Sequence, residues 1–131
     1  MTRKWTYYDD VGMFHQKFGL PYHGDGTLSR LLDQEVLDFR TGFMQEELDE
    51  FKCACIDGNL HDAADALADL VYVALGTAHL MGLPFEEIWD EVQRANMTKI
   101  RPDDNPFSNK KIVKPLGFKS ADHTKALGTS K

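Results

Sequence analysis

Cysteine, long apolar runs and basic charge are scarce in this 131-residue chain, and each scarcity excludes a class of protein. Cys53 and Cys55 are the only cysteines, and residues two apart on a helix point to different faces, so neither a disulfide nor a zinc site is predicted. No apolar run approaches the roughly 20 residues of a membrane helix, and the N-terminus has no apolar stretch typical of a signal peptide. The sequence therefore predicts a cytoplasmic protein with reduced thiols and no membrane partner.

Basic charge is concentrated at the C-terminal end. Residues 98–131 hold eight Lys or Arg and three Asp, which gives them a charge of +5. Because the whole chain has a net charge of −6, residues 1–97 carry a charge of −11. A nucleic-acid-binding protein needs a basic face on its folded part, so no nucleic-acid partner is expected. An acidic body with a basic end suits a site where acids bind a metal and lysines bind a polyanion. The alternative is a solvated tail without a binding role.

The apolar residues recur with helical periodicity, and glycine and proline punctuate them. This pattern predicts four helices, over residues 6–18, 29–57, 61–81 and 85–97, with no strands and no internal repeat. The predicted class is all-α, a helical bundle within one domain at 1–119. Its last part, 98–119, would be a basic arm, and 120–131 a flexible tail. The short linker Gly58-Asn59 would make the second and third helices antiparallel neighbours.

Acidic residues line one face of each of these two helices. At 100° per residue, Glu47 and Glu50 share a face of the second helix with Arg40, and Glu46 lies on its flank. The matching face of the third helix holds Asp62, Asp65, Asp69 and Tyr72. The opposite side of the third helix is apolar enough to be buried. It consists of Leu67, Leu70, Val71, Ala74, Leu75 and Ala78.

A carboxylate in an apolar helix is costly to desolvate unless a cation or a donor meets it. Two facing helices with acids at these spacings therefore predict a site for a hard divalent cation. The alternative is that the acids form only the solvated face of a non-catalytic helical interaction module. A di-iron bundle is not favoured, because it needs Glu-x-x-His pairs and no histidine lies three residues after an acid of either helix.

The order of these residues resembles a known family. The sequence Arg40-x-x-x-Phe-Met-x-Glu-Glu-x-x-Glu50, followed by Asp65-Ala-Leu-Ala-Asp-Leu-Val-Tyr-Val, is similar to the all-α nucleoside triphosphate pyrophosphohydrolases, the MazG-like group. Residues 14–21, 91–99 and 110–118 also resemble segments of the small phage and bacterial members.

The family's metal motif is EExxE, a spacer and then ExxD. Its first half matches Glu46, Glu47 and Glu50, whereas the second half departs, because Ala66 stands where the motif has glutamate. Either Asp65 and Asp69 form the second pair, which we favour, or Asp62 and Asp65 do.

The resemblance implies hydrolysis of a nucleoside triphosphate to the monophosphate and pyrophosphate, with Mg²⁺ as cofactor and Mn²⁺ able to substitute. It implies these metal ligands: Glu47, Glu50, Asp65 and Asp69. Glu46, Glu47 and Glu50 would be catalytic, with a water held by Glu46 or by a metal. Asp62, Arg40 and Tyr72 are candidates for positions around the ligands. The candidates for binding phosphate or sugar are Asn96, Lys99, Lys111 and Lys114.

The resemblance also implies a homodimer or a dimer of dimers in a bacterial or phage-infected cytoplasm. A dimer would complete the core, because the predicted helices offer more apolar surface than one small bundle can bury. The base is left open by the sequence, with dGTP and dUTP as the leading expectations for an enzyme that adjusts a nucleotide pool.

Overall fold

The computed structural model describes residues 3–101 and 112–128 of the chain. Within these residues the helices are α1 (Tyr7–Lys17), α2 (Gln34–Ile56), α3 (Leu60–Leu80), α4 (Phe85–Met97) and α5 (Thr124–Leu127). The same residues contain no strand, only an isolated bridge between Ile100 and Val113. The predicted all-α class is therefore confirmed. The chain divides into two compact units, Met1–Leu83 and Pro84–Lys131.

Helix α1 begins at a capping box. The Thr6 side chain accepts a hydrogen bond from the Asp9 amide at 3.2 Å, and the Asp9 carboxylate accepts one from the Thr6 amide at 2.8 Å. Two of the free amides at the helix start are satisfied in this way. Gly19, at a φ of +70°, turns the chain away from the helix end, as the Gly-Leu-Pro sequence predicts.

Helix α2 begins later than the predicted Ser29. Its N-cap is Asp33, whose side chain accepts a hydrogen bond from the Val36 amide at 3.0 Å. The residues before it bond to the end of α3 instead: the Arg30 amide donates to Met81 O and the Ser29 hydroxyl to Gly82 O, both at 3.0 Å. These long-range bonds hold residues 29–32 in an irregular conformation.

Helices α2 and α3 form an antiparallel hairpin, as predicted. Gly58, at a φ of +72°, makes the turn that ends α2. Asn59 then caps α3, because its side chain accepts a hydrogen bond from the Asp62 amide at 3.0 Å. The acidic faces of the two helices are thereby brought side by side.

The buried face of α3 differs from the prediction. The helix buries the residues Ala63, Ala66, Val73, Gly76, Ala78 and His79. Of the predicted set only Ala78 belongs to them, whereas Leu67 is 47% exposed and Val71 is 49% exposed. Helices α1 and α2 pack on the small residues because these allow close backbone approach. The larger apolar side chains are left on the outside of the single chain.

By length and composition alone, α3 would also be long and apolar enough to cross a membrane. The sequence had predicted that no segment approaches the length and apolar composition of a membrane helix, and α3 does approach them. Core helices pass the same test. The helix carries Asp62, Asp65 and Asp69, and two helices of its own unit pack against it, so we interpret it as a core helix.

The second unit consists of α4 and the C-terminal segment. The Arg94 guanidinium donates to Glu91 Oε1 at 2.8 Å and to the backbone oxygens of Lys119 and Ser120 at 3.2 Å each. Glu91 also accepts a hydrogen bond from the Asp122 amide at 3.1 Å. The beginning of the predicted 120–131 tail is thus bonded to α4 and leads into the short helix α5.

Candidate active site

Glu47 is the only acidic residue with a buried side chain in residues 3–101 and 112–128, at 9% exposed. It lies in the middle of α2, on the side that packs against α3. Its Oε2 atom has no hydrogen-bond partner within the described part of the chain. A buried carboxylate oxygen without a partner is unfavourable, because it has lost its water without gaining a donor.

Three other carboxylates surround this position. Burial raises the pKa of Glu47, and the negative charges of Glu50, Asp69 and Glu46 raise it further. The structure therefore brings Glu46, Glu47 and Glu50 of α2 together with Asp69 of α3, a register that the helical spacing left open between Asp65 and Asp69. Because all four are acids, the cluster has a strong negative potential that a cation would relieve.

The remaining acids of α3 lie toward the turn of the hairpin. Asp65 lines a groove of about 310 Å³ together with Glu50 and Asp62. Asp62 is already bonded at this end: its carboxylate accepts hydrogen bonds from the Asn59 side chain at 2.8 Å and from His61 Nδ1 at 3.1 Å. This favours Asp65 and Asp69 as the second pair over Asp62 and Asp65.

The residues fit a hard divalent cation by two criteria. The donors are carboxylates, which Mg²⁺ and Mn²⁺ prefer, and one of them has a buried oxygen that lacks a partner. No three His, Cys, Asp or Glu side chains among residues 3–101 and 112–128 are already arranged as a metal-binding group. Glu46, Glu50, Asp65 and Asp69 are exposed, so ligation would require rotation of their side chains.

Arg40 and Tyr72, the predicted neighbours of the ligands, each contact another helix. Arg40 reaches from α2 to α3, where Nε donates to Thr77 Oγ1 at 3.0 Å and Nη2 to Val73 O at 2.9 Å. Partial burial lowers its pKa, and no carboxylate pairs with it among the residues that the structure describes. Tyr72 meets Phe14 of α1 edge to face at 5.6 Å.

The predicted phosphate-binding residues belong to the second unit. Asn96 is exposed near the end of α4, and the Lys99 amide donates to its backbone oxygen at 3.1 Å. The Lys114 ammonium lies 5.5 Å from the centre of the Phe118 ring. Lys111 lies outside the described residues. The role of these four residues in binding phosphate stays a prediction.

Two features of the first unit were missed from the sequence. One is a cavity of about 520 Å³, lined by Leu20, Pro21, Arg30, Leu32, Asp33, Glu35, Val36, Phe39, Arg40 and Leu80. The other is the burial of His15 and His79, at 2% and 3% exposed. Glycines in the middle of helices were the available signal: a Cβ on Gly12 would lie 2.9 Å from His79 Cε1, and one on Gly76 would lie 3.0 Å from His15 Nε2.

Comparison with known proteins indicates the same kind of enzyme as the acidic cluster does. The family model of phosphoribosyl-ATP pyrophosphohydrolase matches residues 11–96, which include α2, α3 and the acidic cluster. A search of curated proteins finds no match. Enzymes of this MazG-like group usually need a divalent metal. Because the family is enzymatic, the match favours an enzyme over a non-catalytic interaction module. The chain belongs to the phosphoribosyl-ATP pyrophosphohydrolase family and is an all-α nucleoside triphosphate pyrophosphohydrolase of the MazG-like kind.

Proposed function

We propose that the protein hydrolyses a nucleoside or deoxynucleoside triphosphate to the monophosphate and pyrophosphate with Mg²⁺ bound at the acidic cluster. The observation that carries this proposal is the buried Oε2 of Glu47, which has no partner in the described part of the chain and lies beside the carboxylates of Glu50 and Asp69. A cation at this point would reverse the repulsion that raises the Glu47 pKa.

Glu47, Glu50, Asp65 and Asp69 would hold the metal, with Mn²⁺ able to replace Mg²⁺. When bound, the metal neutralises charge on the triphosphate and so makes pyrophosphate a better leaving group. Glu46 is exposed on the flank of the cluster, where its carboxylate can accept a proton from an attacking water. The water oxygen bonds to the α-phosphorus, the bond from that phosphorus to the bridging oxygen breaks, and pyrophosphate leaves in line.

The cavity near Arg40 is the site we propose for the nucleoside end of the substrate. Arg40 and Glu47 are seven residues apart on α2, so they lie about 10.5 Å apart along the helix axis and on the same side. The cavity offers the apolar and aromatic walls of Leu32 and Phe39. Arg40 Nη1 has no acceptor in residues 3–101 and 112–128 and can donate to an oxygen of the base or sugar.

A role of the basic arm, residues 98–119, in binding the triphosphate is also part of the proposal. We expect Lys99, Lys111 and Lys114 to bind its oxygens as point charges, and Asn96 to orient phosphate or sugar. The family's name adds an adenine nucleotide, phosphoribosyl-ATP, to dGTP and dUTP as candidate substrates. Adjustment of a nucleotide pool in a bacterial or phage-infected cytoplasm is the role we propose.

A homodimer is part of the proposal. On α2, Phe39 is 67% exposed and Leu48 is 46% exposed, and on α3 Leu67 and Val71 are about half exposed. In the second unit Trp89 is 60% exposed. Exposed apolar side chains on two packed helices favour a second copy of the chain, which would bury them as a helical bundle.

A turnover panel tests the proposal. The purified protein with Mg²⁺ is given the common ribo- and deoxynucleoside triphosphates and phosphoribosyl-ATP, and pyrophosphate and inorganic phosphate are measured separately. We expect pyrophosphate and the monophosphate from at least one substrate. Glu50→Gln should abolish this turnover, whereas Asp49→Asn, which removes an exposed charge bonded to Gln45, is the matched control. Release of inorganic phosphate, or no turnover of any nucleotide, would contradict the proposal.

A further inference from the structure

The loop between α1 and α2, residues 18–33, has no regular structure and forms one wall of the cavity near Arg40. Leu20, Pro21, Arg30 and Leu32 of this loop line that cavity. Irregular connections longer than about 12 residues are uncommon in compact domains and are often functional. What holds this loop in place therefore decides whether the cavity keeps its shape.

Two buried histidines bond to the loop backbone. His79 Nδ1, on α3, accepts a hydrogen bond from the His23 amide at 3.0 Å. His15 Nδ1, on α1, lies 2.8 Å from Pro21 O. The two imidazole rings are neighbours, with centres 5.4 Å apart. The loop is thus bonded to a pair of titratable rings close to the point where it lines the cavity.

The partners of His79 determine its protonation state. Its Nε2 atom lies 2.8 Å from Tyr8 O, which can only accept, so this nitrogen carries the hydrogen. Its Nδ1 faces an N–H donor and must therefore present a lone pair. The ring is neutral in this arrangement. A proton added at Nδ1 would place two donors against each other and break the bond to the His23 amide.

The surroundings offer little room for the rings to move. The Tyr8 ring stacks on His79 with centres 3.7 Å apart. A Cβ on Gly12 would already lie within 2.9 Å of His79 Cε1. The titratable or charged groups next to the pair are Tyr8 of α1, Arg40 of α2 and the His23 ring of the loop, which stacks against Tyr8 at 6.3 Å. The pKa of His15 is lowered, because burial and the positive charge of Arg40 outweigh the hydrogen bond to Pro21 O, which raises it.

We propose that His79 and His15 are positioning residues that hold the α1–α2 loop against the nucleoside cavity, and that protonation of His79 at Nδ1 releases the loop, so that mild acidification weakens substrate binding. His15 donates from Nδ1 to Pro21 O in either protonation state, so its part is to hold the loop and not to sense the pH. The link to binding rests on the proposed function, whereas the link between protonation and the loop does not. The hydrogen bonds of the two histidines go to the backbone of the loop and of Tyr8, so we expect their loss to change the substrate affinity more than the acidic cluster. The expected signature is a rise in KM on acidification that exceeds any fall in kcat.

Hydrogen exchange on the wild-type protein, without nucleotide, tests the loop. Protection of the His23 amide and its neighbours is measured at about pH 8 and about pH 5.5 and corrected for the intrinsic pH dependence of exchange. We expect the loop to lose roughly fivefold in protection, the size of one lost hydrogen bond, while the middle of α2 keeps its protection. Unchanged protection in the loop, or an equal loss throughout the chain, would overturn the proposal.

Steady-state kinetics test the consequence for binding. In the double variant His15→Asn with His79→Asn, the side-chain amides can keep a neutral donor for Pro21 O and a neutral acceptor for the His23 amide. We expect KM to rise on acidification in the wild type and to stay flat in this variant. His61→Asn, which replaces an exposed histidine, is the matched control and should keep the wild-type rise.

A double variant with the wild-type rise in KM would overturn the role of the two histidines in binding. If no nucleotide is hydrolysed at any pH, the proposed function fails, and the exchange experiment still decides whether the histidines hold the loop. If the double variant does not fold, the exchange experiment on the wild type remains the deciding one.

Discussion

Replacing Glu47 with Gln gives the sharpest test of the acidic cluster, because it should have opposite effects on the thermal stability of the metal-free and of the Mg²⁺-bound protein. Without metal, the buried Glu47 carboxylate is repelled by Glu50 and Asp69, and Oε2 has no partner among the residues that the structure describes. Glu47→Gln keeps nearly the same shape and removes the charge. We therefore expect the metal-free variant to unfold at the same temperature as the wild type or at a higher one.

The pH dependence follows with its sign. The pKa of Glu47 is raised in the folded state above its ordinary value of 4.5, so the folded state binds this proton more tightly than the unfolded chain. The charged form is therefore unfavourable at neutral pH, and the metal-free wild type should gain stability from this group as the pH falls toward the raised pKa. Glu47→Gln should lack that gain.

With Mg²⁺ the order reverses. A cation at about 100 times its Kd stabilises the folded wild type by about 2.7 kcal/mol, which for a domain of this size is a rise in Tm of roughly 10 °C. Loss of one of four carboxylate ligands should weaken binding by about 100-fold. At the same Mg²⁺ concentration the variant would then gain only about 0.4 kcal/mol, or about 2 °C.

Thermal unfolding followed by circular dichroism, with and without Mg²⁺, measures both effects. Turnover of Glu47→Gln should fall at least about 100-fold at the same metal concentration. Asp49→Asn again serves as the control, and we expect Mg²⁺ to raise its Tm as much as that of the wild type. If Glu47→Gln shows the full rise in Tm with Mg²⁺, or a near-normal rate at saturating Mg²⁺, Glu47 is not a metal ligand.

Three further predictions concern other parts of the molecule. Arg40→Gln should raise the KM for the nucleotide roughly tenfold, the loss of a charge-assisted hydrogen bond, and change kcat much less; an unchanged KM in steady-state kinetics would exclude a contact with substrate. Gly76→Ala should lower the free energy of unfolding by about 1–3 kcal/mol in urea titrations, because the new Cβ would lie 2.7 Å from Arg40 Nη2, and a gain in stability would argue against this close packing. Light scattering at micromolar concentration should return about twice the 14.9 kDa chain mass, and a stable, active monomer would contradict the dimer.

Several parts of this structure are local enough to be predicted from the sequence alone. The four longer helices follow from apolar periodicity, and their ends follow from caps such as Thr6 and Asn59 and from glycines such as Gly58. The acids of α2 and α3 share faces because residues three or four apart on a helix lie on the same side. Because a short turn makes the two helices antiparallel neighbours, the sequence also predicts that the two acidic faces lie close together, without fixing their register.

Other features depend on contacts between residues far apart in the chain, and only the tertiary structure decided them. Periodicity places Glu46, Glu47 and Glu50 near one another, but the packing of α2 on α3 determines that Glu47 is the buried one. The late start of α2 depends on bonds from residues 29–30 to the end of α3. The pairing of His79 with the His23 amide spans 56 residues. Helical periodicity has no information about such partners, since it describes which residues share a face and not which face meets a neighbour.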